Sequence, residues 1–212
     1  MQKIPLLRRS FFSKKLNEHE AIFVFYDIGG GTFDLDQRIN DNLPILGRLN
    51  TLLFLIDLPT LLKNGTAKQT EEAERQILHL LNTLFNALQT LNAVKKKNII
   101  ICFTKADLMV GKSRVYGPLA DWLNDSYPDN LPTAAEVPLY TRHLKIFSHI
   151  ISDYVREKLP NVHNALTNNF KEVYYSTFTA LGDDPVGGKM SSLESYRIFD
   201  PVFFYLMDEG FL

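Results

Sequence analysis

The sequence is poor in cysteine, in long apolar runs and in net charge. Cys102 is the only cysteine among 212 residues, so no internal disulfide can form, which is typical of a reducing compartment. No stretch reaches the roughly 18 apolar residues that span a bilayer, and the best candidate, residues 51–62, is interrupted by Asp57 and Pro59. A net charge of −1 supplies no field that would hold nucleic acid or an anionic membrane. The low cysteine content, the short apolar runs and the small net charge predict a cytoplasmic protein with no membrane span and no nucleic-acid partner.

The composition is that of one globular domain. Apolar residues make up 45% of the chain and charged residues 22%, which excludes intrinsic disorder for most of it. At this length a chain buries roughly 70% of its unfolded surface, so neither a disulfide nor a metal is needed for stability. The histidines show no ligand spacing, and no internal repeat divides the chain. We therefore predict a single domain over residues 1–212, with residues 113–169 as a helical insertion.

Short apolar runs predict the strands of a sheet. Three runs are continuously apolar, at residues 21–26, 51–56 and 98–103, and a weaker one spans residues 173–176. Continuous apolar character is typical of strands that are covered on both faces, as in a parallel sheet.

Helical periodicity lies between these runs. Residues 70–94 carry apolar side chains on one helical face, with Thr70 as a candidate N-cap. Pro138 precedes a second helix over residues 139–159, and Pro201 opens a terminal one. Lysines 95–97 follow the first helix as cations that we expect to be solvated and to complement its dipole. The alternation predicts an α/β fold with a mostly parallel sheet flanked by helices.

Ligands of such sheets bind beyond the carboxyl ends of the strands, and one motif there fits guanine. Residues 104–107 read Thr-Lys-Ala-Asp. The carboxylate of Asp107 can accept two parallel hydrogen bonds from the ring N–H and the exocyclic amine of guanine, a pair that adenine lacks. The stem of Lys105 can lie along the base plane. The alternative is a solvated strand-end loop.

Two further strand ends carry candidate binding residues. In Asp27-Ile-Gly-Gly30, the Asp27 carboxylate can hold Mg²⁺, and Gly30 allows a backbone N–H to approach a phosphate. After the fourth run, the small-residue loop Thr179, Ala180, Leu181 can present a backbone N–H to a base oxygen. Each segment is, alternatively, an ordinary turn.

In this order the three motifs resemble those of the Ras-like P-loop GTPase superfamily. Residues 27–30 resemble the D-x-x-G of the second switch, residues 104–107 the N/T-K-x-D guanine motif, and residues 179–181 the S-A-L/K loop. The surrounding Phe-Tyr-Asp-Ile-Gly-Gly, Leu-Phe-Leu-Ile-Asp-Leu-Pro and Arg-Ile-Phe-Asp-Pro-Val-Phe-Phe-Tyr-Leu are similar to the bacterial double-GTPase type of domain. The resemblance covers about residues 23–206. It implies GTP or GDP as ligand and Mg²⁺ as cofactor.

The chain departs from that family at its first element. The family has a first strand followed by G-x-x-x-x-G-K-S/T, whereas the 26 residues before Asp27 contain no glycine. The resemblance therefore implies a truncated or degenerate GTPase-like domain, which would hydrolyse GTP only if a phosphate-binding segment were supplied. In the resembled fold the first strand lies between the strands ending at Asp27 and Asp57. Without it the two strands lose partners or pair with each other, so the chain is a fragment, or its sheet closes around the gap, or another polypeptide supplies the strand.

Two other motif matches carry less weight. Residues 106–113 formally match a Walker A motif, but Asp107, Leu108 and Met109 place an acid and bulky side chains where amides must wrap a phosphate. Residues 27–34 match a phosphate loop of the actin-like ATPases, yet a polar, helix-like run follows instead of a second strand. A rival function is a non-catalytic protein-interaction module, acting alongside a second GTPase-like protein. It predicts an exposed apolar patch near the terminal helix.

Overall fold

A computed structural model of the chain describes residues 4–8, 17–21, 43–62, 65–124, 132–179 and 195–212. The strands are β1 (Ile4–Arg8), β2 (Asn17–Ala21), β3 (Thr51–Ile56), β4 (Asn98–Thr104) and β5 (Val173–Phe178). The helices are α1 (Leu43–Arg48), α2 (Leu58–Leu61), α3 (Ala67–Thr90), α4 (Ser113–Tyr116), α5 (Pro118–Asn124), α6 (Val137–Lys158), α7 (Pro160–Asn169) and α8 (Asp200–Asp208), with a 3-10 helix at Ala106–Met109. Within these ranges, no helix has both the length and the apolar character that crossing a membrane requires.

The central element is a three-stranded parallel sheet in the order β3-β4-β5. Ile101 of β4 lies opposite Phe54 of β3 on one side and Tyr175 of β5 on the other. β1 and β2 form a separate antiparallel pair. The predicted α/β class with a parallel sheet and flanking helices is confirmed, and the three strands lie where the apolar runs predicted them. Of the predicted strand 21–26, the structure describes Ala21 alone, as the end of β2.

The main core lies on the face of the sheet that packs against α3, which we call the α3 face. Alternate residues of β3 and β4, with the apolar stripe of α3 and residues of α7, form one buried cluster; it includes Phe54, Ile101, Leu81, Leu88 and Leu166. The 24-residue α3 is held there by its amphipathic pattern, because each turn directs apolar side chains toward the strands.

The opposite face, which we call the α8 face, carries a smaller core. Ile100 of β4 packs there with Tyr140 and Leu144 of α6 and with Phe203 and Phe204 of α8. The rings of Tyr140 and Phe203 are 4.6 Å apart between centroids. α8 thus covers the middle and the β5 side of the sheet.

The described residues cover β3 on the α3 face only, so the prediction of two covered faces was wrong for this strand. All of residues 98–103 in β4 are buried, whereas Leu53 and Leu55 of β3 are 47% and 53% exposed. Both leucines lie on the α8 face, where α6 and α8 pack against β4 and β5. The strand is continuously apolar, but its burial alternates because the covering helices are displaced toward β5.

Two predicted details at the ends of α3 are corrected by local contacts. The helix begins at Ala67 and not at Thr70, because Thr66 and Gln69 form a capping box: the Thr66 hydroxyl accepts from the Gln69 N–H at 3.3 Å. Lys97, predicted as a solvated cation, is 6% exposed and donates from Nζ to the carbonyls of Gly47 and Leu49. Its burial lowers its pKa.

The two outer edges of the three-stranded sheet differ. α6 covers the outer edge of β5, where the Ser148 hydroxyl accepts a hydrogen bond from the backbone N–H of Tyr175 at 2.9 Å. The Asp208 carboxylate of α8 accepts hydrogen bonds from side chains at the amino ends of all three strands. The donors are Thr51, Asn98 and Tyr174. Among the described residues, no chain segment pairs with the outer edge of β3.

Candidate functional site

The predicted strand-end residues lie along one edge of the sheet, which we call the carboxyl rim. β3 ends just before Asp57, β4 ends at Thr104, and β5 ends just before Thr179. Thr104 lies opposite Phe178 in the register, so the ends of β4 and β5 are level. Because the three strands are parallel, the residues that follow them emerge at the same edge, where ligands of such sheets bind.

An ion pair joins the first two strand ends. Lys105 Nζ lies 2.6 Å from Asp57 Oδ2 and 3.5 Å from the Thr60 hydroxyl. Asp57 also caps α2, since its Oδ1 accepts from the Thr60 N–H at 3.1 Å. Partial burial alone would raise the pKa of Asp57, but the hydrogen bonds from Lys105 and Thr60 lower it overall. The carboxylate is therefore ionised at neutral pH and fixes the lysine head on the rim.

Lys105 has a backbone conformation that side-chain-bearing residues seldom adopt. Its φ is 58° and its ψ is 45°, in the left-handed region. Such strain costs about 1–3 kcal/mol and clusters at functional sites. The left-handed conformation of Lys105 lets the chain turn from β4 directly into the 3-10 helix. The Leu108 N–H donates to the Lys105 carbonyl at 3.0 Å.

The 3-10 helix presents Asp107 on a rigid base. Ala106 and Met109 on either side of it are fully buried, and the helix contacts both α5 and β5. Asp107 itself is half-buried, and its Oδ1 atom is buried with no hydrogen-bond partner among the described residues. Leaving a buried polar atom without a partner costs about 1–3 kcal/mol, and more for a charged group. The described residues therefore supply no donor to this acceptor.

Thr104 and Thr179 complete the described part of the rim. The Thr104 hydroxyl reaches the Ile56 carbonyl at 3.5 Å, which is a long and weak contact between the ends of β4 and β3. Thr179 is 6% exposed and forms an antiparallel bridge with Tyr196, with N···O distances of 3.0 and 2.9 Å. The bridge fixes the backbone at the point where the chain leaves β5.

The structure therefore brings together Thr104, Lys105, Asp107 and Thr179, all of which follow or end parallel strands. The other predicted site residues, Asp27, Gly30, Ala180 and Leu181, lie outside the described residues. Within the described ranges, no group of three or more His, Cys, Asp or Glu side chains is arranged to hold a metal ion.

A buried ion pair behind the rim was not predicted from the sequence. Arg197 directly follows the Tyr196 bridge, and its Nη2 lies 2.5 Å from Asp200 Oδ2, with both side chains at most 1% exposed. Asp200 Oδ1 accepts from the Tyr140 hydroxyl at 2.6 Å, and the guanidinium carbon lies 3.7 Å from the Phe147 ring centroid. The Arg-x-x-Asp spacing before Pro201 was the available signal, although spacing alone does not distinguish a buried pair from an exposed one.

A cavity of about 470 Å³ lies away from these residues, at the start of α3. Its charged lining mixes both signs; it includes Glu71, Glu74, Glu157, Arg114 and Lys158. Glu74 is already engaged, because it accepts from the backbone and side chain of Asn161 at 2.7 and 2.9 Å. The cavity includes none of the predicted site residues.

No protein-family model, no curated protein and no solved structure matches the chain. Its function is therefore inferred from the residues of the carboxyl rim.

Proposed function

We propose that this chain binds a guanine nucleotide at the carboxyl rim, with Asp107 selecting the base. The observation that supports the proposal is the buried Oδ1 of Asp107 at a parallel strand end, which has no hydrogen-bond partner among the described residues. Guanine offers two adjacent donors, the ring N–H and the exocyclic amine, which match the two oxygens of a carboxylate. Adenine presents no such pair, so binding adenine would leave the buried oxygen unsatisfied.

Lys105 and Thr179 supply the walls of the proposed base site. The ion pair with Asp57 holds the Lys105 stem at the rim, where it can lie along the plane of the base. The Thr179–Tyr196 bridge fixes the backbone just before Ala180 and Leu181, which we propose to line the opposite side. Thr104 ends the strand from which Lys105 and Asp107 project. The same scaffold thus supports a base-selecting acid and a packing lysine.

We assign binding, and not hydrolysis, to this chain by itself. Phosphoryl transfer depends on positioning the triphosphate and neutralising its charge. Lys105 is committed to Asp57, with its Nζ 2.6 Å from the carboxylate. The proposed roles of Asp27 toward Mg²⁺ and of Gly30 toward a phosphate remain predictions from the sequence; an aspartate oxygen is a ligand that Mg²⁺ favours.

Calorimetry with GDP, GTP and ATP on the full chain tests the proposal. We expect guanine nucleotides to bind and ATP not to bind, and Asp107→Asn to weaken guanine binding by roughly 10- to 100-fold, as for loss of a charge-assisted hydrogen bond. The same variant should gain affinity for a xanthine nucleotide, because xanthine has a carbonyl where guanine has its amine, and an amide offers one donor and one acceptor.

A matched control variant is Asp153→Asn, since that side chain is 65% exposed and pairs with Arg156 on α6. It should bind like the natural chain. Absent binding, equal binding of GTP and ATP, or guanine binding that Asp107→Asn leaves unchanged would each refute the base-selecting role.

A second candidate function is a protein-interaction module on the same scaffold. The observation that favours it is an apolar patch beside the start of α8, where Ile198 and Phe199 are 40% and 44% exposed. Large contiguous apolar patches mark surfaces that bind other proteins, and these two side chains would form part of such a patch. The patch lies next to the buried Asp200, so the terminal helix presents it on a rigid support. This module needs no nucleotide.

A further inference from the structure

The chain turns sharply between the carboxyl rim and helix α8. Tyr196 bridges to Thr179 where β5 ends, and α8 begins shortly afterwards at Asp200. Between these points Arg197 has a φ of 56°, in the left-handed region that residues with a side chain seldom adopt. Backbone strain of this kind persists only where surrounding contacts determine the conformation, and it clusters at functional sites. Arg197 must therefore be held in place by the contacts around it.

Backbone and side-chain contacts to Asp200 hold Arg197 in this turn. The Asp200 N–H donates to the Arg197 carbonyl at 3.1 Å. The Arg197 guanidinium also pairs with the Asp200 carboxylate, with 2.5 Å between Nη2 and Oδ2. Because both side chains are buried, salt screens this pair far less than it screens an exposed one. The turn is thus closed twice, once through the backbone and once through opposite charges.

Helix α6 fixes the same ion pair. The Tyr140 hydroxyl donates to Asp200 Oδ1 at 2.6 Å. The guanidinium carbon of Arg197 lies 3.7 Å from the ring centroid of Phe147, where the positive charge is attracted to the ring face. α6 is itself packed against β5. The pair therefore connects three parts of the fold, which are the turn after the bridge, the start of α8 and a helix that covers the sheet.

We propose that the buried Arg197–Asp200 pair is a positioning device for the carboxyl rim, which holds the Thr179–Tyr196 bridge closed. Arg197 directly follows Tyr196 in the chain, so a change in the geometry of the pair is transmitted to the bridge. The bridge in turn fixes the backbone at the end of β5, which is level with the end of β4 that precedes Asp107. Arg197 and Asp200 are thus positioning residues, which act on the rim through the bridge.

The closed bridge affects ligand binding only if the proposed function holds. A rim whose backbone is already fixed loses less conformational freedom when it takes up a base. The affinity for guanine should therefore depend on an ion pair that lies behind the site and does not select the base. The closure of the bridge itself needs no nucleotide, so it is measured on the chain alone.

Hydrogen exchange of the full chain, resolved at single amides by NMR, tests the closure. The Thr179 and Tyr196 N–H groups each donate to the carbonyl of the other residue, at 3.0 and 2.9 Å. Exchange is followed from zero to low urea, because local opening depends little on urea and global unfolding depends on it strongly. In Asp200→Asn the urea-independent exchange of both amides should be at least about 10-fold faster, as for loss of a charged hydrogen-bond partner. Tyr140→Phe, which keeps the ring, should give a several-fold increase.

The matched control is Asp208→Asn, at the other end of the same helix, where the carboxylate accepts from Thr51 and Tyr174 at the amino ends of the strands. It should leave the urea-independent exchange of the bridge amides unchanged. Arg197→Lys keeps the positive charge and should exchange more slowly there than Arg197→Met. Bridge amides that respond equally to Asp200→Asn and Asp208→Asn, or to neither, would overturn the proposal. Equal exchange in the two Arg197 variants would do the same, because the charge would then not hold the bridge.

Calorimetry with GDP, at a temperature where every variant is folded, measures the consequence for binding. Asp200→Asn should weaken GDP binding at least several-fold more than Asp208→Asn does. If the natural chain binds GDP and Asp200→Asn binds it equally well, the pair does not position the base site, whereas base selection by Asp107 stands. If the natural chain binds no guanine nucleotide, the proposed function fails, and the exchange of the bridge amides alone decides whether the pair holds the bridge.

Discussion

The buried pair of Arg197 and Asp200 offers the sharpest stability test. Their side chains are 1% and 0% exposed, and the carboxylate also accepts from the Tyr140 hydroxyl. Removing one partner leaves a buried charge or donor uncompensated, which costs about 3–5 kcal/mol. For a chain of this size, each kcal/mol lowers the melting temperature by about 2–4 °C. Arg197→Met and Asp200→Asn should therefore each lower it by roughly 6–20 °C.

The double variant Arg197→Met/Asp200→Asn separates the energetic coupling between the two charges from the packing of their side chains. Methionine keeps contact with the Phe147 ring, which the guanidinium carbon approaches at 3.7 Å. Since both charges are gone, we expect the double variant to be about 2–3 kcal/mol more stable than the sum of the single effects. The unfolding free energy is measured by urea titration, with the fluorescence of Trp122, the only tryptophan, as the signal.

The measurement is made at mildly alkaline pH. Burial raises the pKa of Asp200 overall, although Arg197 and Tyr140 act in the opposite direction, so alkaline conditions favour the ionised carboxylate. The control pair has the same residues and spacing on the surface: Arg156 and Asp153 lie 2.7 Å apart but are 66% and 65% exposed. Its variants should cost less than about 1 kcal/mol. Single effects at Arg197 and Asp200 that simply add would refute the coupling.

Two further predictions concern the rim and the apolar patch. Because the folded pKa of Asp57 lies below its ordinary 3.8, its stabilising effect is present above about pH 4 and is lost as pH falls through the lowered value. At neutral pH, Asp57→Asn should lower the free energy of unfolding by less than about 1 kcal/mol, and in acid this difference between the variant and the natural chain should disappear. A difference that does not change with pH would contradict the prediction. Ile198→Ser/Phe199→Ser should release a co-purifying partner without lowering stability, whereas Ile146→Ser, at a similarly exposed site, should retain it; unchanged co-purification argues against the module.

Some features of the rim and of α3 follow from local sequence patterns, and others do not. Thr104, Lys105 and Asp107 were predicted at a strand end because an apolar run followed by polar residues is a local signal. The left-handed backbone of Lys105 was not predicted, since it depends on the buried anchors Ala106 and Met109 around the turn. Lys97 was assigned to solvent, but it is buried because two carbonyls from the end of α1 receive it.

The sequence by itself determined strands β3, β4 and β5, the long helices α3 and α6, and the chemical character of the strand ends. These features follow from apolar runs, helical periodicity and side-chain donors and acceptors, which are properties of neighbouring residues. Only the tertiary structure decided which faces of the sheet are covered and which charges are paired. Leu53 and Leu55 have the same local character as Ile99 and Ile101, yet only the leucines are exposed. The physical reason is that burial and pairing depend on elements distant in sequence, whose positions no local pattern contains.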